Sequence, residues 1–134
     1  MELADTSAWT NRQKDRGVFA DFEARVVARE IATTQPVTME MLWNARSADF
    51  SARRVELGFL PQVPVVSRTW ERALDVWYAL VRRGRHRQIP HFDLLIAAAA
   101  ELADLPVLHY DRHFELIAEV TGQPTRLIAP LGSL

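Results

Sequence analysis

The amino-acid sequence predicts a three-layer α/β/α domain built on a small, mostly parallel sheet of four to five strands. Three observations carry this prediction. Short apolar segments of strand length alternate with longer amphipathic segments along the chain, the pattern of a parallel sheet covered on both faces. The helical segment at 92–100 is apolar nearly all round, so it belongs in the interior. Two predicted strands run directly into an aspartate, Asp5 and Asp111, and strand carboxyl ends are where open α/β folds place ligands.

Residues 2–5 are the first strand, ending at Asp5-Thr6-Ser7, a polar cluster suited to capping the next helix. Residues 17–32 carry Val18, Phe22, Val26 and Ile31 among charges, an amphipathic helix. Pro36-Val37 is assigned a very short strand. Residues 39–45 form a helix with Met41, Leu42 and Ala45 inward, and 49–57 a further short helix. Val63-Pro64-Val65-Val66 is a β-branched run that reads as a buried strand. Ser67 then caps a helix bearing Trp70, Ala73, Leu74, Trp77, Leu80 and Val81, which closes at Gly84. The helical spacing of Trp70 and Trp77 assigns them to the core, while Trp43 and Phe50 stand open between core and contact surface. Residues 85–89 are a loop, and Pro90 opens the buried helix, where its missing N–H costs nothing. That helix runs to about Ala103. Residues 105–110 form a strand that stops at Asp111. A helix follows to Val120, closed by Gly122, and 125–128 form a last edge strand.

All 134 residues are expected to form one domain, with 49% hydrophobic and 25% charged residues placing the chain among ordinary globular proteins. Having no cysteine excludes disulfides, thiolate catalysis and cysteine-ligated zinc. The N-terminus turns acidic at Glu2 and Asp5, where a secretory leader would be basic and then apolar. The longest apolar stretch, 94–100, is far too short for a membrane span. The expectation is therefore a soluble, cytoplasmic protein with no membrane partner. A net charge of −1 argues against a nucleic-acid partner on the sum alone. Yet 15 of the 16 basic residues are arginine, the side chain suited to bidentate pairing with phosphate or carboxylate. A GC-rich coding sequence produces the same bias.

Four acids stand out. Asp5 and Asp111 precede helices, where aspartate is a favoured N-cap. Asp93 lies in a first turn, where it complements the helix dipole, and Glu40 would ordinarily face solvent. Together they admit another reading. Carboxylates at two strand ends, on a buried helix and on a mid-chain helix could converge on one point, and their repulsion would call for a cation. An all-oxygen cluster suits a hard ion such as Mg²⁺ or Mn²⁺, and metal-assisted hydrolysis of a phosphodiester is the natural chemistry of such a site.

The motifs around these acids resemble the PIN-domain ribonucleases of the VapC toxin type. Asp5-Thr6-Ser7-Ala8-Trp9 is similar to their opening motif, Phe92-Asp93-Leu94-Leu95-Ile96-Ala97-Ala98 to their third, and Leu108-His109-Tyr110-Asp111-Arg112-His113-Phe114 to their fourth. Val120-Thr121-Gly122-Gln123-Pro124 is similar to their C-terminal stretch. The resemblance spans essentially the whole chain, with the acids in the family's order. It implies an endoribonuclease toxin of a toxin–antitoxin pair, with Asp5, Glu40, Asp93 and Asp111 as catalytic residues and ligands of Mg²⁺ or Mn²⁺. Thr6 and Ser7 would support that shell from the pocket edge. It also implies a homodimer, a cognate antitoxin laid across the groove, and transfer or ribosomal RNA as substrate. The chain departs from the family in one respect: where many relatives have a second acid in the fourth motif, it has His113. The departure points to one tightly held ion or to a preference for Mn²⁺. Alternatively His113 faces solvent in a first turn.

Arg82, Arg83, Arg85 and Arg87, with His86 among them, precede Asp93 and are candidates for gripping RNA phosphates, as is Arg112. The same cations also suit a helix C-terminus and a solvated loop. Two other functions compete with the nuclease. A phosphotransferase using Asp5 as nucleophile would want an acid at the position of Ser7 and a Gly-rich phosphate loop, and the chain has neither. A PIN-like protein-binding module without strong catalysis is the remaining alternative, which His113 keeps open.

Overall fold

A computed structural model describes residues 1–134. Four strands, β1 (Glu2–Ala4), β2 (Ile31–Ala32), β3 (Val107–His109) and β4 (Thr125–Leu127), form one sheet in the order β2-β1-β3-β4, every pair parallel. Seven α-helices connect them: α1 (Thr6–Asn11), α2 (Arg16–Val27), α3 (Gln35–Leu42), α4 (Ser47–Gly58), α5 (Ser67–Arg82), α6 (His91–Leu102) and α7 (Arg112–Thr121). The central strands pair in the register Leu3↔Val107 and Ala4↔Leu108. Because they run parallel, the residues that follow them emerge at one end of the sheet.

The core forms as the apolar pattern requires. Every residue from Leu94 to Ala100 on α6 is buried, and the helix packs against α5, α3 and α7. Small side chains at Ala97–Ala100 allow close approach, and Gln123 donates from Nε2 to the carbonyl of Ala97 at 2.9 Å. Burying each of Leu94, Leu95 and Ile96 stabilises the fold by about 1.5–3 kcal/mol. α7 ends at Gly122, in the left-handed region at φ 70°, and α5 is followed by Gly84 at φ 66°, as helix-terminating glycines are.

Several elements differ from the sequence expectation. α2 stops at Val27, and Arg29 adopts a left-handed φ of 58°, so Ile31 begins β2 opposite Glu2 rather than extending the helix. Pro36-Val37 is not a strand: Pro36 lies in the first turn of α3, a position that needs no amide hydrogen. Val63–Val66 does not join the sheet as a strand. The carbonyl of Thr33 accepts from Val63 N–H at 2.8 Å beside a single Thr33↔Gln62 bridge, and Pro64 has no N–H to continue the ladder. Val65 N–H instead donates to the side chain of Gln35, and Val66 is exposed. Val66 rather than Ser67 occupies the N-cap of α5, its N–H donating to Thr69 Oγ1.

α5 also turns a different face inward. Thr69, Ala73, Val76 and Leu80 are buried, while Trp70 is 55% exposed and Trp77 only half-buried. The tryptophans' spacing is shared by two adjacent stripes of the helix, and packing on α6 selects the one with smaller residues. Trp70, Leu74 and Tyr78 form an exposed apolar stripe beside a groove of about 270 Å³ that Ala73, Trp77, His91 and Leu94 help to line. Residues 85–89 include a tight turn, His86–Gln88, that buries Ile89.

Ile96→Ala should lower the stability of the fold by about 2–5 kcal/mol in urea denaturation. Val27→Ala, at an 83% exposed position, should change it by less than about 0.5 kcal/mol. Similar losses for both would contradict a core centred on α6.

Candidate active site

β1 and β3 end side by side and each delivers an aspartate to the same rim. The amide of Asp5 donates to the carbonyl of Leu108 at 2.9 Å, and Ser7 Oγ accepts from the amide of Tyr110 at 2.9 Å. The same Ser7 hydroxyl donates to Asp5 Oδ2 at 2.6 Å, and Ser7 N–H donates to that oxygen at 2.9 Å. Ser7 therefore joins two segments distant in sequence and sets the rotation of the Asp5 carboxylate. Capping and site-building are not alternatives here. Asp5 Oδ2 caps α1, while Asp5 Oδ1 is buried without a hydrogen-bond partner.

Asp111 caps α7 through Oδ1, which accepts from His113 N–H at 3.0 Å. Its own amide donates to Nδ1 of His109 at 3.1 Å. His109 is wholly buried, and burial holds its pKa below the ordinary histidine value, which suits a neutral ring accepting at Nδ1. Sequence reasoning missed this positioning role: a histidine inside a strand carries no local mark of it. Asp93, 7% exposed, lies in the first turn of α6. His113 is partly exposed but turns its ring inward. Its Nδ1 lies 2.9 Å from Asp93 Oδ2 and 3.2 Å from Asp111 Oδ1.

Glu40 sits on α3 at the edge of this group, with Oε1 accepting from Thr6 Oγ1 at 2.8 Å. Thr6 and Glu40 border a polar groove of about 450 Å³ that Arg12, Asn44, Arg53 and Glu56 also line. No pattern in the sequence singles out Arg12. Its guanidinium is held by Glu23 and the Trp9 carbonyl and lies over the rings of Trp9 and Phe22. Arg82, Arg83, Arg85, Arg87 and Arg112 are all exposed. The first four lie at the end of α5 and in the turn entering α6, and Arg112 begins α7 beside Asp111.

Electrostatics record the convergence. Burial pushes Asp5 upward, and the charge of Asp111 adds to it. Burial and the charge of Asp5 raise Glu40. Asp93 is pushed up to about 7 by burial and by Asp5, against the opposing pull of His113. Such a site invites a cation. The donors fit one: Asp93, Asp111 and His113 offer ligand atoms all within 4.8 Å of one another, while Asp5, with Oδ1 buried and unpartnered, and Glu40 stand outside that trio. Oxygen-rich sets of this kind suit hard divalent ions.

A parallel four-stranded sheet with acids gathered at the carboxyl ends of its central strands defines an α/β class of domain with a cation-suited site at the sheet edge. The chain belongs to the PIN-domain family, whose model matches residues 3–120. It is 39% identical to Ribonuclease VapC18 of Mycobacterium tuberculosis, over 97% of this chain and 96% of that protein. It is 38% identical to Ribonuclease VapC51 of the same organism, over 98% and 96% of the two chains. The fold is that of VapC-containing complexes. One is the DNA-bound VapBC of Salmonella typhimurium (TM-score 0.72, 19% identity, 96% of this chain and 100% of that one). Another is VapBC-1 of nontypeable Haemophilus influenzae (TM-score 0.73, 13% identity, 95% and 97%). No helix is long and apolar enough to cross a membrane.

For metal-free protein this electrostatic pattern predicts a pH effect. Asp93 has a raised folded pKa, so its contribution to stability is complete below the ordinary value of 3.8 and is lost as pH rises through about 7. Asp93→Asn should therefore melt higher than the unsubstituted chain at about pH 8, with the advantage shrinking toward about pH 4. A pH-independent difference in thermal unfolding would show that the Asp93 charge is not what destabilises the cluster.

Proposed function

We propose that this chain is a metal-dependent endoribonuclease toxin of a type II toxin–antitoxin system, cleaving RNA by hydrolysis. The single observation that carries this reading is the burial of Asp5 and Asp93 against Asp111, with Asp5 Oδ1 left unpartnered. A fold does not normally keep such a concentration of negative charge without a cation to answer it. The relatives' name, ribonuclease, points to the same chemistry.

Asp5, Asp93 and Asp111, with Glu40 at the edge, would hold Mg²⁺ or Mn²⁺. When bound, such an ion supplies charge neutralisation and activation of water for attack on a phosphodiester. The chain's own groups do the positioning. Ser7 fixes Asp5, His109 fixes the backbone at Asp111, and Thr6 holds one oxygen of Glu40 so that the other is free to face the groove. Burial and the charge of Asp5 raise the pKa of Glu40 from its ordinary value, which favours proton uptake by this carboxylate, the role of general base. Arg82, Arg83, Arg85, Arg87 and Arg112 would grip phosphates beside this acidic centre.

Partners are proposed on the same footing. The structural neighbours are VapBC complexes, and the exposed apolar stripe of Trp70, Leu74 and Tyr78 supports a protein partner at this surface. A cognate antitoxin and a second copy of the chain are the expected partners.

The test is to induce the chain without antitoxin in bacterial cells, beside Asp5→Ala and Asp93→Asn, and to map new RNA 5′ ends. Growth arrest with discrete ends from the unsubstituted chain alone is expected, and the ends distinguish transfer from ribosomal RNA. Identical behaviour of all three soluble proteins would favour a protein-binding module instead. For the arginines, Arg85→Ala with Arg87→Ala should weaken RNA binding and flatten its salt dependence by about 0.7–0.9 for each phosphate no longer neutralised. An unchanged slope would remove them from the RNA path.

A further inference from the structure

We infer that His113 is a direct nitrogen ligand of the divalent ion, giving this chain a mixed oxygen–nitrogen donor set that favours Mn²⁺ over Mg²⁺. The inference rests on the metal-dependent reading above and adds to it a ligand and a selectivity.

Geometry is the first support. His113 Nδ1 stands 2.9 Å from Asp93 Oδ2 and 3.2 Å from Asp111 Oδ1. Adjacent ligands on an octahedral ion with bonds of about 2.1 Å lie about 3.0 Å apart. The nitrogen thus stands at a spacing that serves a hydrogen bond to Asp93 in the free protein and a neighbouring coordination position when an ion is bound. Its placement is not free rotation of a surface side chain. The His113 amide is tied to Asp111 Oδ1 in the first turn of α7, and the side chain is only 28% exposed.

Charge is the second support. Nδ1 carries one hydrogen at most, so it cannot give a full hydrogen bond to both carboxylates it faces. Asp5 Oδ1, buried and without a partner, belongs to a carboxylate whose charge bears on both of the others. A divalent ion held by Asp93 and Asp111 answers their charge and leaves Nδ1 to offer its lone pair as a ligand. His109 is not a competing ligand through Nδ1, which already accepts from the Asp111 amide.

Selectivity follows from the donor. Mg²⁺ takes oxygen ligands and retains water, whereas Mn²⁺, although an oxygen-seeking ion and the weakest nitrogen binder of the first-row series, accepts imidazole more readily than Mg²⁺ does. Replacing an acid by imidazole also removes one negative charge, which weakens the hold on a hard ion most.

The test uses the full chain and Mn²⁺ alone. Pulsed EPR of the Mn²⁺-loaded protein should show hyperfine coupling from a bound imidazole nitrogen, lost in both His113→Asp and His113→Asn. Calorimetric titration with Mn²⁺ and with Mg²⁺ should show the Mn²⁺ preference narrowing by about tenfold in His113→Asp, the lower end of what changes around metal sites cause. The unsubstituted chain alone decides whether nitrogen is bound, should a variant fail to fold. Bound Mn²⁺ without nitrogen coupling, or coupling that survives both substitutions, overturns the inference while leaving the nuclease reading standing. An unchanged preference overturns the selectivity. No binding of Mn²⁺ at all overturns the inference and the metal-dependent reading together.

Discussion

The parallel pairing of β1 with β3 is the constraint on which the site depends. Leu3 and Ala4 lie against Val107 and Leu108 in the middle of the sheet, all of them essentially inaccessible to solvent. Two strands so paired must release their chains at the same edge, which is why Asp5 and Asp111 become neighbours despite their distance in sequence. The Asp5 amide on the Leu108 carbonyl and the Ser7 hydroxyl on the Tyr110 amide continue the pairing past the strands themselves. A register shifted by one residue would turn the aspartates away from each other and expose the apolar side chains that hold the sheet together.

That closeness is costly, and the surroundings show how the fold tolerates it. Helix N-termini receive Asp5 and Asp111, so each carboxylate has at least one oxygen satisfied by an amide. Hydroxyls of Thr6 and Ser7 satisfy Glu40 and Asp5. What is left over is a buried Asp5 oxygen without a partner and an Asp93 whose pKa burial and Asp5 raise to about 7 despite the nearby His113. Unfavourable electrostatics of this kind in the free protein would be relieved by a bound cation. The proposed nuclease reading and the proposed role of His113 both rest on that imbalance.

Much of this was legible in the residues alone. The apolar run on α6 announced its own burial, and Gly84 and Gly122 marked helix ends that the structure reproduces. The ordered acids pointed to the site region. Other features were ambiguous for identifiable reasons. Trp70 and Leu74 fit a core stripe as well as Ala73 and Val76 do, and only the demand of α6 for a close neighbour separates them. Val63 to Val66 has strand composition, yet Pro64 and the short β2 edge leave it with a single bridge. Ile31 fits a helix by spacing, and its strand pairing with Glu2 is a long-range contact that no local pattern encodes.

By itself the sequence determined the class of fold, the inventory of acids and the absence of cysteine, because periodicity and composition are local properties. Tertiary structure alone decided which atoms meet. It chose Ser7 as the link between two strands, His109 as the support of the Asp111 backbone, and the inward turn of His113 toward Asp93. The physical reason is common to all three. Each is a hydrogen bond or close approach whose geometry depends on strand register and helix placement, and these are settled by packing of the whole core rather than by any segment's own preference.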